Sequence, residues 1–152
     1  MCQVVEKLII ENVLYGRIKG NIDEIKSFHK RLVKIINDNG AKNINGSIKR
    51  IIYSDIINDE HIVDLEIWVP LNKKIESTDE FSFLDKFQLY NFILVEYKGS
   101  PEKSGDVSKQ IQEYIEKEGL TPLPPAYNHS MHVAAESTKQ EDMFFRIYLK
   151  VS

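Results

Sequence analysis

Apolar residues fall along this chain in two rhythms, and each change of rhythm marks the end of one element and the start of another. Residues 6–20 are rich in β-forming side chains and close on Lys19-Gly20. The spacing then turns helical: Ile22, Ile25, Phe28, Leu32, Ile35 and Ile36 make one apolar stripe. Asn21 is placed to accept from the first helical amides, Glu24 stands where a capping-box acid belongs, and Gly40 supplies a left-handed stop. A hairpin follows, about 47–55 with 62–70, turning through Asn58-Asp59-Glu60. The succession then recurs. Residues 85–99 are β-rich, and Ser100-Pro101-Glu102 is a proper helix start. Ser104-Gly105 interrupts it, so the helix runs in earnest from Asp106, with Val107, Ile111, Tyr114 and Ile115 on its buried face before Gly119. Thr121-Pro122-Leu123-Pro124-Pro125 reads as a stiff connector into a second hairpin, about 127–135 with 142–151, turning through Thr138-Lys139-Gln140.

A shift of 79 residues lays the second half on the first. Residues 6–20 then meet 85–99, with Lys7 on Lys86, Asn12 on Asn91, Lys19 on Lys98 and Gly20 on Gly99. Apolar positions agree as well: Leu8 with Phe87, Ile10 with Leu89, Val13 with Phe92, Leu14 with Ile93 and Ile18 with Tyr97. Lys30, Ile36 and Gly40 meet Lys109, Ile115 and Gly119. The pattern predicts an α+β fold from tandem duplication of a strand-helix-strand-strand unit, one domain over 1–152 with repeats at about 4–75 and 83–152.

Strand alternation separates two faces of the expected antiparallel sheet. Val63, Leu65, Ile67 and Val69 form a wholly apolar face suited to helices, which sets Asp64, Glu66 and Trp68 on the other. Phe145, Ile147, Leu149 and Val151 repeat the arrangement and leave Phe144, Arg146, Tyr148 and Lys150 opposite. Helices are thus expected on one face, and the aromatic-bearing other face suits a pocket and equally an exposed sheet face with ordinary salt bridges.

Composition narrows the function classes. A chain of 152 residues with a formal charge of −3 and scattered basic residues lacks the basic stripe that phosphate backbones require, so nucleic acid is not an expected partner. The single cysteine, Cys2, excludes an internal disulfide and a cysteine zinc cluster and suits a reducing compartment, with cytoplasm the expectation. No apolar run approaches the roughly 20 residues of a membrane helix, and residues 1–7 carry neither a basic leader nor an apolar core. The glycines make no phosphate-cradling pattern, and no cofactor is expected.

The tandem units, the second opening on a strand that ends Glu96-Tyr97-Lys98-Gly99-Ser100-Pro101 and closing on Ile147-Tyr148-Leu149-Lys150-Val151, resemble the GyrI-like small-molecule-binding family. The same fold serves as the effector domain of bacterial multidrug-responsive regulators. The resemblance implies a pseudo-twofold body with helices over one sheet face and a ligand cleft on the other. Many members that bind aromatic cations carry a buried glutamate in the first hairpin strand of the second unit. Here residues 127–135 read Tyr-Asn-His-Ser-Met-His-Val-Ala-Ala, without a carboxylate. That departure tells against lipophilic cations and against the hydrolase activity that depends on this acid in some stand-alone relatives. The two units take up residues 4–152, so no counterpart of the regulators' separate DNA-binding domain is expected within them.

The candidate ligand site comprises Trp68, Glu66, Tyr148 and Arg146, joined by Tyr15, Tyr53, Tyr97 and His132. Arg146 is expected to neutralise Glu66, favouring neutral or zwitterionic aromatic or amphipathic ligands. Each tyrosine taken singly equally suits a strand position with its ring packed and its hydroxyl wet. His129 and His132, three apart on a strand, point to opposite faces and make no metal pair. The leading expectation is a stand-alone ligand-sensing or sequestering domain. The alternatives are a protein-interaction module that receives a partner chain by strand addition, and a small hydrolase of the GyrI-like family.

Overall fold

A computed structural model of the chain describes residues 2–98, 104–131 and 144–152, without the side chains of 104 and 105. Strand β1 (Cys2–Gly20) leads to helix α1 (Ile22–Asp38) and to the hairpin of β2 (Ser47–Ile57) and β3 (Glu60–Pro70). Strand β4 (Phe81–Lys98), helix α2 (Ser104–Glu118), β5 (Pro122–Ser130) and β6 (Phe144–Val151) follow in the same order. The strands pair antiparallel and close into a barrel, β1-β3-β2-β5-β6-β4, with β4 returning to β1. The sheet face expected to carry a cleft is thus the inside of a closed wall.

Local chemistry explains the ends of the elements. The Asn21 side chain accepts from the Glu24 amide while Glu24 reaches back to the Asn21 amide, the reciprocal cap expected from the sequence. At the far end Gly40 adopts φ +64°, and the amides of Gly40 and Ala41 bond back to the carbonyls of Asn37 and Ile36. This is the left-handed closure that glycine allows without a Cβ penalty. Asn58 and Asp59, both at positive φ, turn the first hairpin. The turn expected at 138–140 lies outside the described residues. Pro122 to Pro125 belong to β5 rather than to a connector: Pro122 and Leu123 pair with Val151 and Lys150, and the register breaks before Tyr127. Prolines lack the donor a ladder needs, so they occupy the strand's start and its irregular stretch.

The two longest strands each change neighbour midway. In β1 residues up to Gly16 pair with β4, and residues from Val13 pair with β3; in β4, Phe92 onward pairs with β6. Asn12 (φ 55°) and Asn91 (φ 51°) sit at the changes, in the left-handed region that asparagine tolerates better than most residues. Each reverses the phase of alternation. Leu8 and Ile10 face inward, and beyond Asn12 so do Val13 and Tyr15; Phe87 and Leu89 give way to Phe92 and Leu94 across Asn91.

Three apolar clusters result. α1 packs Phe28, Leu32 and Ile36 on the outside of β1 and β3, against Leu14, Ile67, Val69 and Phe81. α2 packs Val107 and Ile111 on Ile93, Val95, Ile147 and Leu149. The third cluster fills the barrel with Val13, Ile48, Trp68, Phe87, Leu89, Phe92, Tyr127 and Tyr148.

Candidate functional site

Within the barrel the rings are in mutual contact. Trp68 lies 5.2 Å from Tyr15, 5.3 Å from Phe87 and 5.5 Å from Tyr127 between ring centroids, and Phe92 meets Tyr148 edge-on at 5.4 Å. These spacings suit tilted and edge-to-face aromatic pairs. Set into this apolar interior is a charged cluster. Both oxygens of Glu66, 7% exposed, are engaged. Oε2 accepts from the Tyr15 hydroxyl at 2.7 Å, and Oε1 accepts from Arg50 Nε and Nη2 at 2.8 and 2.6 Å. Arg50 Nη1 donates to the Tyr127 hydroxyl at 2.9 Å, and its guanidinium lies 4.7 Å above the Tyr127 ring and 5.9 Å from the Trp68 ring. Burial, then the hydrogen bond to Glu66, pushes the Tyr15 phenol up to about 12. Further along the same strands Arg17 grips Asp64 through two bonds of 2.9 and 2.8 Å and holds its carboxyl below the usual aspartate value.

A second polar group, on β5 and β6, is almost fully buried. His129 and Tyr148 are each 1% exposed. His129 Nε2 faces the Asn45 carbonyl at 2.9 Å, so it carries the proton; Nδ1, 2.7 Å from the Tyr148 hydroxyl, accepts from it. Burial lowers the His129 pKa and Arg146 adds to the depression, while the Asn45 carbonyl opposes it. Arg146 donates to Glu96 at 2.7 Å. Beside that pair a depression of about 320 Å³, lined by Asn45, Glu96, Met131, Phe144 and Arg146, opens to the surface.

Four of the sequence-expected residues therefore come together inside the barrel: Trp68, Glu66, Tyr15 and Tyr148. Arg146 stands at the depression and does not neutralise Glu66. The reason is strand order: β3 neighbours β2, which sets Arg50 directly opposite Glu66, whereas β6 neighbours β4, which sets Arg146 opposite Glu96. Tyr53 is 42% exposed on the hairpin and donates to Asp55. Tyr97 lies on the outer face, stacked on Phe145 at 5.2 Å. His132 lies outside the described residues. Sequence reasoning left Arg50, Tyr127 and His129 out of the ligand set, weighing His129 only as a metal partner for His132. The first was legible, since Ile48 and Arg50 share a face of β2, and Tyr127 and His129 share one of β5 by the same alternation.

Outside the barrel, a groove of about 690 Å³ runs between α1 and β2, floored by Leu32, Ile36, Ile67 and Val69. Among the described residues no cluster of three or more potential metal ligands forms, and no helix is long and apolar enough to cross a membrane.

No family model and no curated protein sequence matches the chain. Solved structures do match over its whole length. A hydrolase from Listeria innocua superposes with a TM-score of 0.64 at 12% identity, over 99% of this chain and 91% of that one. The C-terminal domain of EcmrR gives 0.65 at 11% identity, over 100% and 96%. SAV2435 bound to tetraphenylphosphonium gives 0.51 at 15% identity, over 100% and 93%. What is shared at such identities is the fold, and it agrees with the fold that the GyrI-like resemblance implies.

Proposed function

We propose that this chain is a GyrI-like small-molecule-binding domain, built from two copies of one unit, which receives a neutral or zwitterionic aromatic ligand in its barrel. The carrying observation is the Glu66–Arg50 pair, bonded to two phenol hydroxyls and enclosed by aromatic rings. Taking such charges out of water costs several kcal/mol that their attraction only partly offsets, so a purely structural interior would be better served by apolar packing. Asn45 and Arg146 line the depression and adjoin His129 and Tyr148, so a ligand entering there would meet that pair first and, by displacing rings beyond it, Trp68. The bulky aromatic cation held by SAV2435 supports an aromatic ligand for a barrel of this fold. The charge preference differs here: residues 127–135, the stretch in which many relatives carry a glutamate, hold no carboxylate, and Arg50 already neutralises Glu66. Because both Glu66 oxygens accept hydrogen bonds from the protein, neither is turned to an attacking water, which favours binding over the hydrolytic alternative.

Trp68 is the only tryptophan, so its fluorescence reports the interior directly. Titration with uncharged, zwitterionic and cationic aromatic compounds should find ligands whose signal disappears in Trp68→Phe, with calorimetric affinity weaker by roughly 1 kcal/mol. Tetraphenylphosphonium should bind poorly to the native chain and roughly tenfold or more tightly to Arg50→Gln, in which Glu66 loses its cation. Tight tetraphenylphosphonium binding by the native chain, abolished in Glu66→Gln, would reverse the charge preference.

A second reading, strand addition by a partner chain, is favoured by the hairpin. Among the described residues β2 pairs with β5 only through Ser47, Ile48 and Lys49, while Ile51, Ile56 and Ile57 beyond them are exposed. A partner added there would raise amide protection along Tyr53 to Ile57.

A further inference from the structure

We propose that the groove between α1 and β2 is a second binding site, on the outer face of the barrel, for a monoanionic amphiphile: a carboxylate carried on a short aliphatic chain. Its volume, about 690 Å³, falls within the roughly 300–1,000 Å³ typical of small-molecule sites. Among the described residues the groove exists because α1 sits on β1 and β3 and leaves the outward face of β2 beside it open. Its floor is aliphatic, made of the buried Leu32, Ile36, Ile67 and Val69, and its rim carries Val33, 54% exposed. Such a lining accepts a flexible hydrocarbon chain rather than the stacked rings of the interior.

The charged groups that line it are Lys42 and Lys49, and no aspartate or glutamate is among the lining residues. Lys49 is half-buried, and among the described residues no hydrogen bond or ion pair takes up its ammonium. Burial alone lowers its pKa, and burial followed by the charge of Lys49 lowers that of His29 across the groove. A cation held partly out of water without a counter-charge is a standing cost, which an arriving carboxylate relieves. One half-buried ammonium beside an uncharged imidazole matches one negative charge: Lys49 meets one carboxylate oxygen, and His29 or Ser47 bonds the other.

Octanoate is the probe, with octanol and octylammonium as controls and methyl proton–carbon spectra of the whole chain as the readout. Octanoate should shift the methyl signals of Leu32, Val33, Ile67 and Val69 saturably, leave Trp68 fluorescence unchanged, and bind roughly tenfold more tightly than octanol. Lys49→Gln should lower its affinity to that of octanol, and Lys49→Arg should preserve it. Octanoate should also raise the Lys49 titration midpoint, followed through its ε-carbon signal, a measurement that needs no variant. Equal affinity for octanoate and octanol, an unaffected Lys49→Gln, an unmoved Lys49 midpoint, or shifts confined to interior methyls such as Val13 and Leu89 would overturn the proposal. The Lys49 outcomes do not bear on the Trp68 titrations, and shifts confined to interior methyls would place octanoate in the barrel instead, so failure of one site is distinguishable from failure of the other.

Discussion

Lys49 and Arg50 are neighbours in sequence, yet the two sides of β2 treat their charges in opposite ways. Arg50 turns into the barrel, where Glu66 neutralises it and a phenol hydroxyl and two aromatic faces complete its surroundings. Lys49 turns outward into an aliphatic groove and meets no acid among the described residues. Both cations are partly desolvated, but only one has been given its counter-charge. A neutralised pair discriminates among ligands by shape and ring contacts, because its field is largely cancelled. An un-neutralised cation discriminates by sign. In the two sites proposed, one strand thus separates two kinds of selectivity.

The largest expected effect tests the wall between them. Leu32 is 3% exposed, belongs to the packing under α1, and also lines the groove. Leu32→Ala should cost about 2–5 kcal/mol in denaturant unfolding through lost burial and an unfilled cavity. A loss below about 0.5 kcal/mol would show that the groove floor is not part of the core.

Arg50→Met comes next. Removing one partner of a buried pair strands the other, and about 3 kcal/mol is expected, at the low end for such pairs because the Arg50 side chain is 26% exposed. Glu66→Gln/Arg50→Met should recover much of that loss. If the double variant is no more stable than Arg50→Met, the pair is not the unit described.

A smaller effect concerns acid. The folded pKa of His129 lies below its ordinary value of 6.5, so the folded chain resists a proton that the unfolded chain accepts. The stability His129 contributes is therefore complete above about pH 6.5 and is lost as pH falls toward the depressed folded value. Tyr148, the Asn45 carbonyl and Arg146 are the groups facing it. His29, lowered by burial and Lys49, acts in the same direction. Melting temperatures from pH 7.5 down to 5 should fall, and His129→Gln should shrink the fall to the share carried by His29. An unchanged slope would remove His129 from the account.

Lys49→Met should do least, changing stability by under about 0.5 kcal/mol or raising it, since it removes a charge without stranding another. A cost comparable to that of Arg50→Met would mean that the groove cation has a partner after all, and the contrast between the two sides would disappear.

Much of this was written in the residue pattern. The capped stripe from Ile22 to Ile36 became α1, and strict alternation in 62–69 placed Trp68 and Glu66 on the inner face and Ile67 and Val69 under the helix. Tyr97 escaped that logic because alternation carried on from Phe87 and Leu89 puts it inside, whereas the left-handed Asn91 reverses the phase and puts it outside. The same reversal at Asn12 brings Tyr15 in. Tyr53 follows a register shift in β2 after Ile51 and lands on the exposed hairpin. The partners of Glu66 and Arg146 depend on which strands are neighbours. That is a property of closure, and periodicity within one strand does not contain it.

Closure itself rests on little. Among the described residues β2 meets β5 through three residue pairs, Ser47 with Ser130, Ile48 with His129 and Lys49 with Asn128, reinforced by the His129 bond to the Asn45 carbonyl. Gly46 permits the approach, since a Cβ there would overlap the Ser130 carbonyl oxygen. Every other junction in the ring is longer. A wall with one short seam parts there first, as a clasp does. If the proposed interior ligand enters through that seam, the time constant for loading the barrel belongs to the protein rather than to the ligand, and uptake should level off at high ligand concentration, at the frequency with which the clasp comes undone.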